Sequence, residues 1–93
     1  MVDKITELAG LLTKLHATTD DTVFFDFSGH VDLLTVQVHE GGYYNTTETI
    51  GDTTVTKKSE PKSFVVWLYH DDTEENINNI IDYVKERLAN ASN

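Results

Sequence analysis

Residues Ser63-Phe64-Val65-Val66-Trp67-Leu68-Tyr69 are apolar at every position after the first. β-branched and aromatic side chains at this density favour an extended strand. Alternation sends Phe64, Val66 and Leu68 to one side and Val65, Trp67 and Tyr69 to the other, so neither face is polar. A strand of this kind needs cover on both faces, and the pattern places it in the middle of a sheet. Glu60-Pro61 and Asp71-Asp72-Thr73 bound the run. It is far shorter than the roughly 20 apolar residues that span a bilayer.

The flanking sequence supplies part of that cover. Val2, Ile5, Leu8, Leu12 and Leu15 recur at spacings of three and four, which predicts a helix over residues 3–17 with Asp3 near its start. Ile77, Ile80, Ile81, Val84 and Leu88 form a second stripe and predict a helix over residues 73–90, capped by Asp72 or Thr73 with Glu75 completing a capping box. Between them, Thr22–Ser28 reads as a strand, Ser28-Gly29-His30 as a turn, and Val31–Glu40 as its antiparallel partner. Gly41-Gly42 turns the chain again. Tyr43–Ile50 and Thr53–Lys58 then read as a threonine-rich hairpin at a sheet edge, with Lys57 and Lys58 guarding against edge-to-edge pairing.

The order is α-β-β-β-(β)-α. It predicts one α+β domain over residues 1–93, an antiparallel three- to four-stranded sheet between an N-terminal and a C-terminal helix, with both helices on one sheet face. Two helices cover one face, but the strands are apolar on two. The first hairpin has Val23, Phe25 and Phe27 against Phe24, and Leu34, Val36 and Val38 against Val31 and Leu33. The uncovered face is therefore expected to show large side chains, with Phe24, Leu33, Val65, Trp67 and Tyr69 as candidate interaction residues. A patch of that kind exceeds what a monomer ordinarily leaves bare. It is covered either by a folded-back segment, Tyr43-Tyr44 or residues 51–62, or by a second copy packed sheet on sheet as a homodimer.

Composition narrows the function classes. Sixteen acidic residues against seven basic ones give a net charge of −9, which disfavours direct binding to nucleic acid or to an anionic membrane. Without cysteine there is no disulfide, thiolate metal site or thiol nucleophile. Met1-Val2-Asp3-Lys4 does not open a signal peptide, so the expected location is the cytoplasm. The sequons at Asn45-Thr46-Thr47 and Asn90-Ala91-Ser92 then read as chance occurrences.

Signals for chemistry are sparse. His16, His30, His39 and His70 show no helical i, i+4 pair and no HExxH. His70-Asp71-Asp72 is a metal-capable triplet, but the same residues make an ordinary strand-to-helix turn. Asp26, among Phe24, Phe25 and Phe27, is a carboxylate whose pKa burial would raise, unless it points outward on an edge strand. A small metal-dependent hydrolase around His70, Asp71 and Asp26 is the enzymatic alternative. No catalytic, cofactor or metal residue is assigned, and no cofactor is expected. Gly41-Gly42 lacks the lysine and helix of a phosphate loop. Asp20, Asp21, Asp71, Asp72, Glu74 and Glu75 form local acidic concentrations, which are a solubilising surface or a decoy that binds a basic partner by imitating nucleic acid.

Ser28-Gly29-His30-Val31, the alternating strand Leu33–Val38 and Gly41-Gly42-Tyr43 resemble small acidic proteins encoded by phages and prophages of low-GC Gram-positive bacteria. The resemblance covers residues 22–44 and, beyond them, the layout alone. Such proteins are mostly of unknown function, and the resemblance implies an α+β protein, sometimes dimeric. Some such proteins inhibit host nucleases by occupying a DNA-binding cleft. The expectation is a non-enzymatic protein–protein interaction module that self-associates through its open sheet face.

Overall fold

The computed structural model describes residues 2–44 and 46–91. Asn45 of the first sequon and Ser92 of the second lie outside the described residues. The elements are α1 (Val2–Thr18), β1 (Thr22–Ser28), β2 (Leu33–His39), β3 (Thr46–Ile50), β4 (Thr53–Lys57), β5 (Lys62–Trp67) and α2 (Thr73–Ala91). This is the expected α+β order with antiparallel pairing throughout.

The two apolar stripes do what their periodicity requires. Leu8, Leu12 and Leu15 of α1 and Ile77, Ile80, Ile81 and Val84 of α2 are buried against Leu34, Val36 and Val38 of β2, Val66 of β5 and Leu68 just beyond it. Burying each of these side chains stabilises the fold by about 1.5–3 kcal/mol before conformational entropy is subtracted. The helices touch each other, α1 lying over β1 and α2 over β5. Val2 and Ile5 share a cleft with Leu68 and Tyr69, while Ala17 and Thr18 share one with Arg87 and Asn90. The helices therefore run side by side in the same direction.

Strand order differs from expectation. The main sheet is β1-β2-β5, so β2 is central and the apolar β5 is an edge strand. Alternation reports which residues are apolar, but it cannot report whether a strand has one neighbour or two. The threonine-rich hairpin also leaves the sheet. Among the described residues β3 and β4 pair only with each other, from Thr46↔Lys57 to Ile50↔Thr53, and pack on no other element. β5 takes the second edge of β2, and the hairpin's own apolar residues, chiefly Ile50 and Val55, are too few to build a core. Its two-residue turn places Gly51 at φ 63°, a conformation that glycine adopts without strain.

The consequence is an elongated molecule of 52 × 33 × 18 Å with a radius of gyration of 15.3 Å. A compact domain of this length would have a radius of about 12 Å.

Of the two candidate caps, Asp72 stands at the first helical bond, its carbonyl accepting from the Asn76 amide at 2.9 Å, while Thr73 serves elsewhere. Its hydroxyl donates to the Trp67 carbonyl at 2.9 Å and accepts from the His70 amide at 2.9 Å. The side chain is fully buried and ties the end of β5 to the start of α2 instead of capping the helix amides.

Candidate interaction surface

Register decides which side chains share a face. Directly opposed residues point the same way, and Val23↔Val38, Phe25↔Val36 and Phe27↔Leu34 face the helices. The uncovered face is then Thr22, Phe24, Asp26 and Ser28 from β1, Leu33, Thr35, Gln37 and His39 from β2, and Ser63, Val65 and Trp67 from β5. Asp26 is the only carboxylate among them, and no lysine or arginine joins it.

The apolar residues on this face form two ends and a polar waist. At one end Leu33 lies beside Trp67, with Val65 in the next row. Val65 is 56% exposed and Trp67 51%. At the other end Phe24, 46% exposed, meets His39 and Tyr43 edge-on, with ring centroids 5.6 Å from each. Thr35, Gln37, Ser63 and Asp26 separate the two ends. Asp26 is exposed and accepts a hydrogen bond from the Ser28 hydroxyl at 3.3 Å.

Tyr43 covers the Phe24 end because the root of the β3–β4 ribbon is anchored there. The His39 ring is 4.8 Å from Tyr43, and both His39 and Ser59 are buried. The Ser59 hydroxyl lies 2.8 Å from His39 Nδ1 and donates to the Gly42 carbonyl at 2.8 Å. That hydroxyl has one proton to give, so the hydrogen between Ser59 and His39 belongs to Nδ1. The Ser59 amide donates to the Tyr43 carbonyl at 2.7 Å, and the Tyr43 amide to Thr22 Oγ1 at 3.1 Å. These bonds root the ribbon on the open-face side. Residues 51–62 do not fold back over the Trp67 end, where Val65 and Trp67 remain exposed.

Two residues singled out from sequence lie elsewhere. Alternation assigns Tyr69 to the open face, but β5 ends at Trp67 and Tyr69 takes φ 63°. It lines instead a cleft of about 430 Å³ with Val2, Ile5 and Phe27, on the helix side. Asp21 is not part of an acidic surface, being 4% exposed. It accepts from Arg87 Nη2 at 2.7 Å, from Arg87 Nε at 2.9 Å and from the Gly41 amide at 2.8 Å.

Burial pushes the Asp21 carboxyl pKa up, but the bonds from Arg87 and Gly41 and the guanidinium charge outweigh it, leaving a pKa below the usual 3.8. Arg87 is raised, chiefly by its bond to Asp21. Glu40 lies 3.8 Å from Arg87 and accepts from the Tyr83 hydroxyl. Burial and then the Glu40 bond and charge hold that phenol protonated well above its ordinary range. Sequence reasoning missed this cluster, because Arg87 and Asp21 are 66 residues apart. A buried aspartate that marks a β1 start leaves no periodic signal.

The remaining acids are divided. Asp20 precedes β1, while Asp71, Asp72, Glu74 and Glu75 follow β5, and the register sets these positions at opposite ends of the sheet. No single acidic face results. Among the described residues no three histidine, aspartate or glutamate side chains come together as a metal-holding group. None of the helices described is long and apolar enough to cross a membrane.

No known protein family matches the chain, and no curated protein or solved structure matches it.

Proposed function

We propose that this chain is a non-enzymatic protein-interaction module of phage or prophage origin, working in the host cytoplasm, and that it self-associates through its open sheet face. The observation that carries this reading is the charge on that face. In a chain of net charge −9, one carboxylate stands among half-exposed Phe24, Val65 and Trp67. Like-charged copies repel, so a chain this acidic associates with itself most readily where carboxylates are sparse. Sheet faces of this kind pack about 10 Å apart with interdigitated side chains. The resemblance of residues 22–44 to phage-encoded proteins supports the origin. The decoy reading loses support, because Asp21 is buried and the other acids are split between two ends.

Thr35 tests this reading, since it sits on the central strand, half-buried, in the polar waist of the face. Thr35→Arg is expected to lower the self-associated mass in sedimentation and to red-shift Trp67 emission. A wild-type chain that stays monomeric at high concentration, with Trp67 emitting as in water, would overturn the proposal.

A further inference from the structure

The most apolar strand lies at the margin of the sheet with one side unpaired. The Leu68 amide donates to the Asp32 carbonyl at 2.8 Å, so Leu68, Val66 and Phe64 turn their backbone groups toward β2. Alternation then turns those of Ser63, Val65 and Trp67 outward. The Trp67 carbonyl agrees, since it is met from outside β2 by the Thr73 hydroxyl. Natural edge strands are ordinarily blunted by an internal proline, a bulge or an inward-pointing charge. β5 has none of these after Lys62, and only at its end does the start of α2 meet the edge, where the Thr73 hydroxyl takes the Trp67 carbonyl, so the open row is that of Ser63 and Val65.

We propose that the free edge of β5 pairs antiparallel with the same edge of a second copy, about a two-fold axis at Val65, joining two three-stranded sheets into one of six strands. Opposed residues must share a face, and a centre at Val65 satisfies this: Val65 faces its counterpart, and Ser63 faces Trp67 of the other copy, whose carbonyl accepts from Thr73 and keeps its second lone pair for the Ser63 amide. The open faces then lie on the same side.

Charge selects the occupant. Lys58, Glu60 and Lys62 lie before or at the start of β5, Lys57 being paired with Glu48, and Asp71, Asp72, Glu74 and Glu75 follow its end. Antiparallel pairing brings Lys62, at the strand margin, toward Asp71 and Asp72 of the other copy, although Glu60 and Glu40 share a cleft with it. The β1 edge lacks this complementarity. Asp20 and Asp32 flank β1 and Asp26 lies within it, so self-pairing there would set carboxylate against carboxylate.

Area points the same way. A three-stranded face of this length has a flat footprint of about 300 Å². Stable interfaces bury roughly 600–1,000 Å² per partner. Edge pairing doubles the face to about 600 Å², so face-to-face association rests on edge pairing for sufficient area. The edge pairing itself rests on the backbone row and the charges, and does not need the open-face reading.

The test is sedimentation of the full chain with three variants. Val65→Pro removes the outward amide at the two-fold, where proline is compatible with an edge strand because that amide makes no bond to β2. It is expected to halve the associated mass while far-ultraviolet circular dichroism is retained. Lys62→Glu and Asp71→Lys are each expected to weaken association about tenfold, and the double variant to recover it. This exchange decides the matter if Val65→Pro fails to fold. A wild-type monomer at all concentrations, or a double variant no stronger than either single one, would overturn the proposal. Thr35→Arg separates the two surfaces: if it leaves the mass unchanged while the β5 variants reduce it, the edge holds and the open-face reading falls.

Discussion

The helix-covered sheet and the β3–β4 ribbon are built from similar strands and differ in what lies over them. In β2 the inward-facing Leu34, Val36 and Val38 are fully buried, whereas no residue of β3 or β4 is buried. The ribbon has a well-formed turn at Gly51, a Lys57–Glu48 ion pair at 2.5 Å and a threonine row from Thr47 to Thr56. Local chemistry of this quality shapes a hairpin but does not stabilise it, since an isolated two-stranded ribbon is marginal in water. The ribbon owes its placement to its root, where Ser59 ties His39 to Gly42. Burial decides which region holds the molecule together, and hydrogen bonding at the root decides where the other region starts.

That contrast breaks most sharply in the core. Ile77→Ala removes a fully buried side chain from the helix–sheet interface and is expected to cost about 3 kcal/mol. Thermal unfolding should shift down by more than 10 °C, at roughly 4–8 °C per kcal/mol for a domain of this size. A shift of a degree or two would mean that the two-layer core does not carry the stability.

Asp21→Asn should cost slightly less, about 2–3 kcal/mol, by leaving the partly buried Arg87 guanidinium with a weaker partner. Because folding holds the Asp21 pKa below 3.8, the unfolded chain binds the proton more readily. The stability from this pair is complete above about pH 5 and is lost as pH falls through 4 and below. Chemical denaturation between pH 3 and 7 should show a smaller acid loss in Asp21→Asn than in wild type. An equal loss would assign the acid sensitivity to other carboxylates.

The smallest effect is expected in the ribbon. Replacing residues 46–57 by a short Gly-Ser link should move the unfolding temperature by no more than a few degrees, because no core side chain is removed. A loss as large as that from Ile77→Ala would show that the ribbon packs on the body after all.

Much of the fold was legible from residue spacing. The stripes of α1 and α2, the Ser28-Gly29-His30 turn and the apolar alternation of β1 and β2 are local patterns, and each element appears within a few residues of its expected bounds. The open face was legible for the same reason, and Phe24, Leu33, Val65 and Trp67 all lie on it. Tyr69 does not, because the strand ends at Trp67 and alternation carries no mark of that end. The burial of Asp21 leaves no local signal, because its partner Arg87 comes from the far end of the chain.

The sequence by itself determined the α+β order, the two helix stripes and the presence of apolar residues on both sides of the strands, since these depend on periods of 3.6 and 2 read over short windows. Only the tertiary structure decided that β2 is central, that β5 is left with a free edge, that the threonine hairpin stands apart, and that Asp21 is locked to Arg87. Each of these is a choice between long-range partners, and a strand's own residues carry no record of which neighbour will take its second edge.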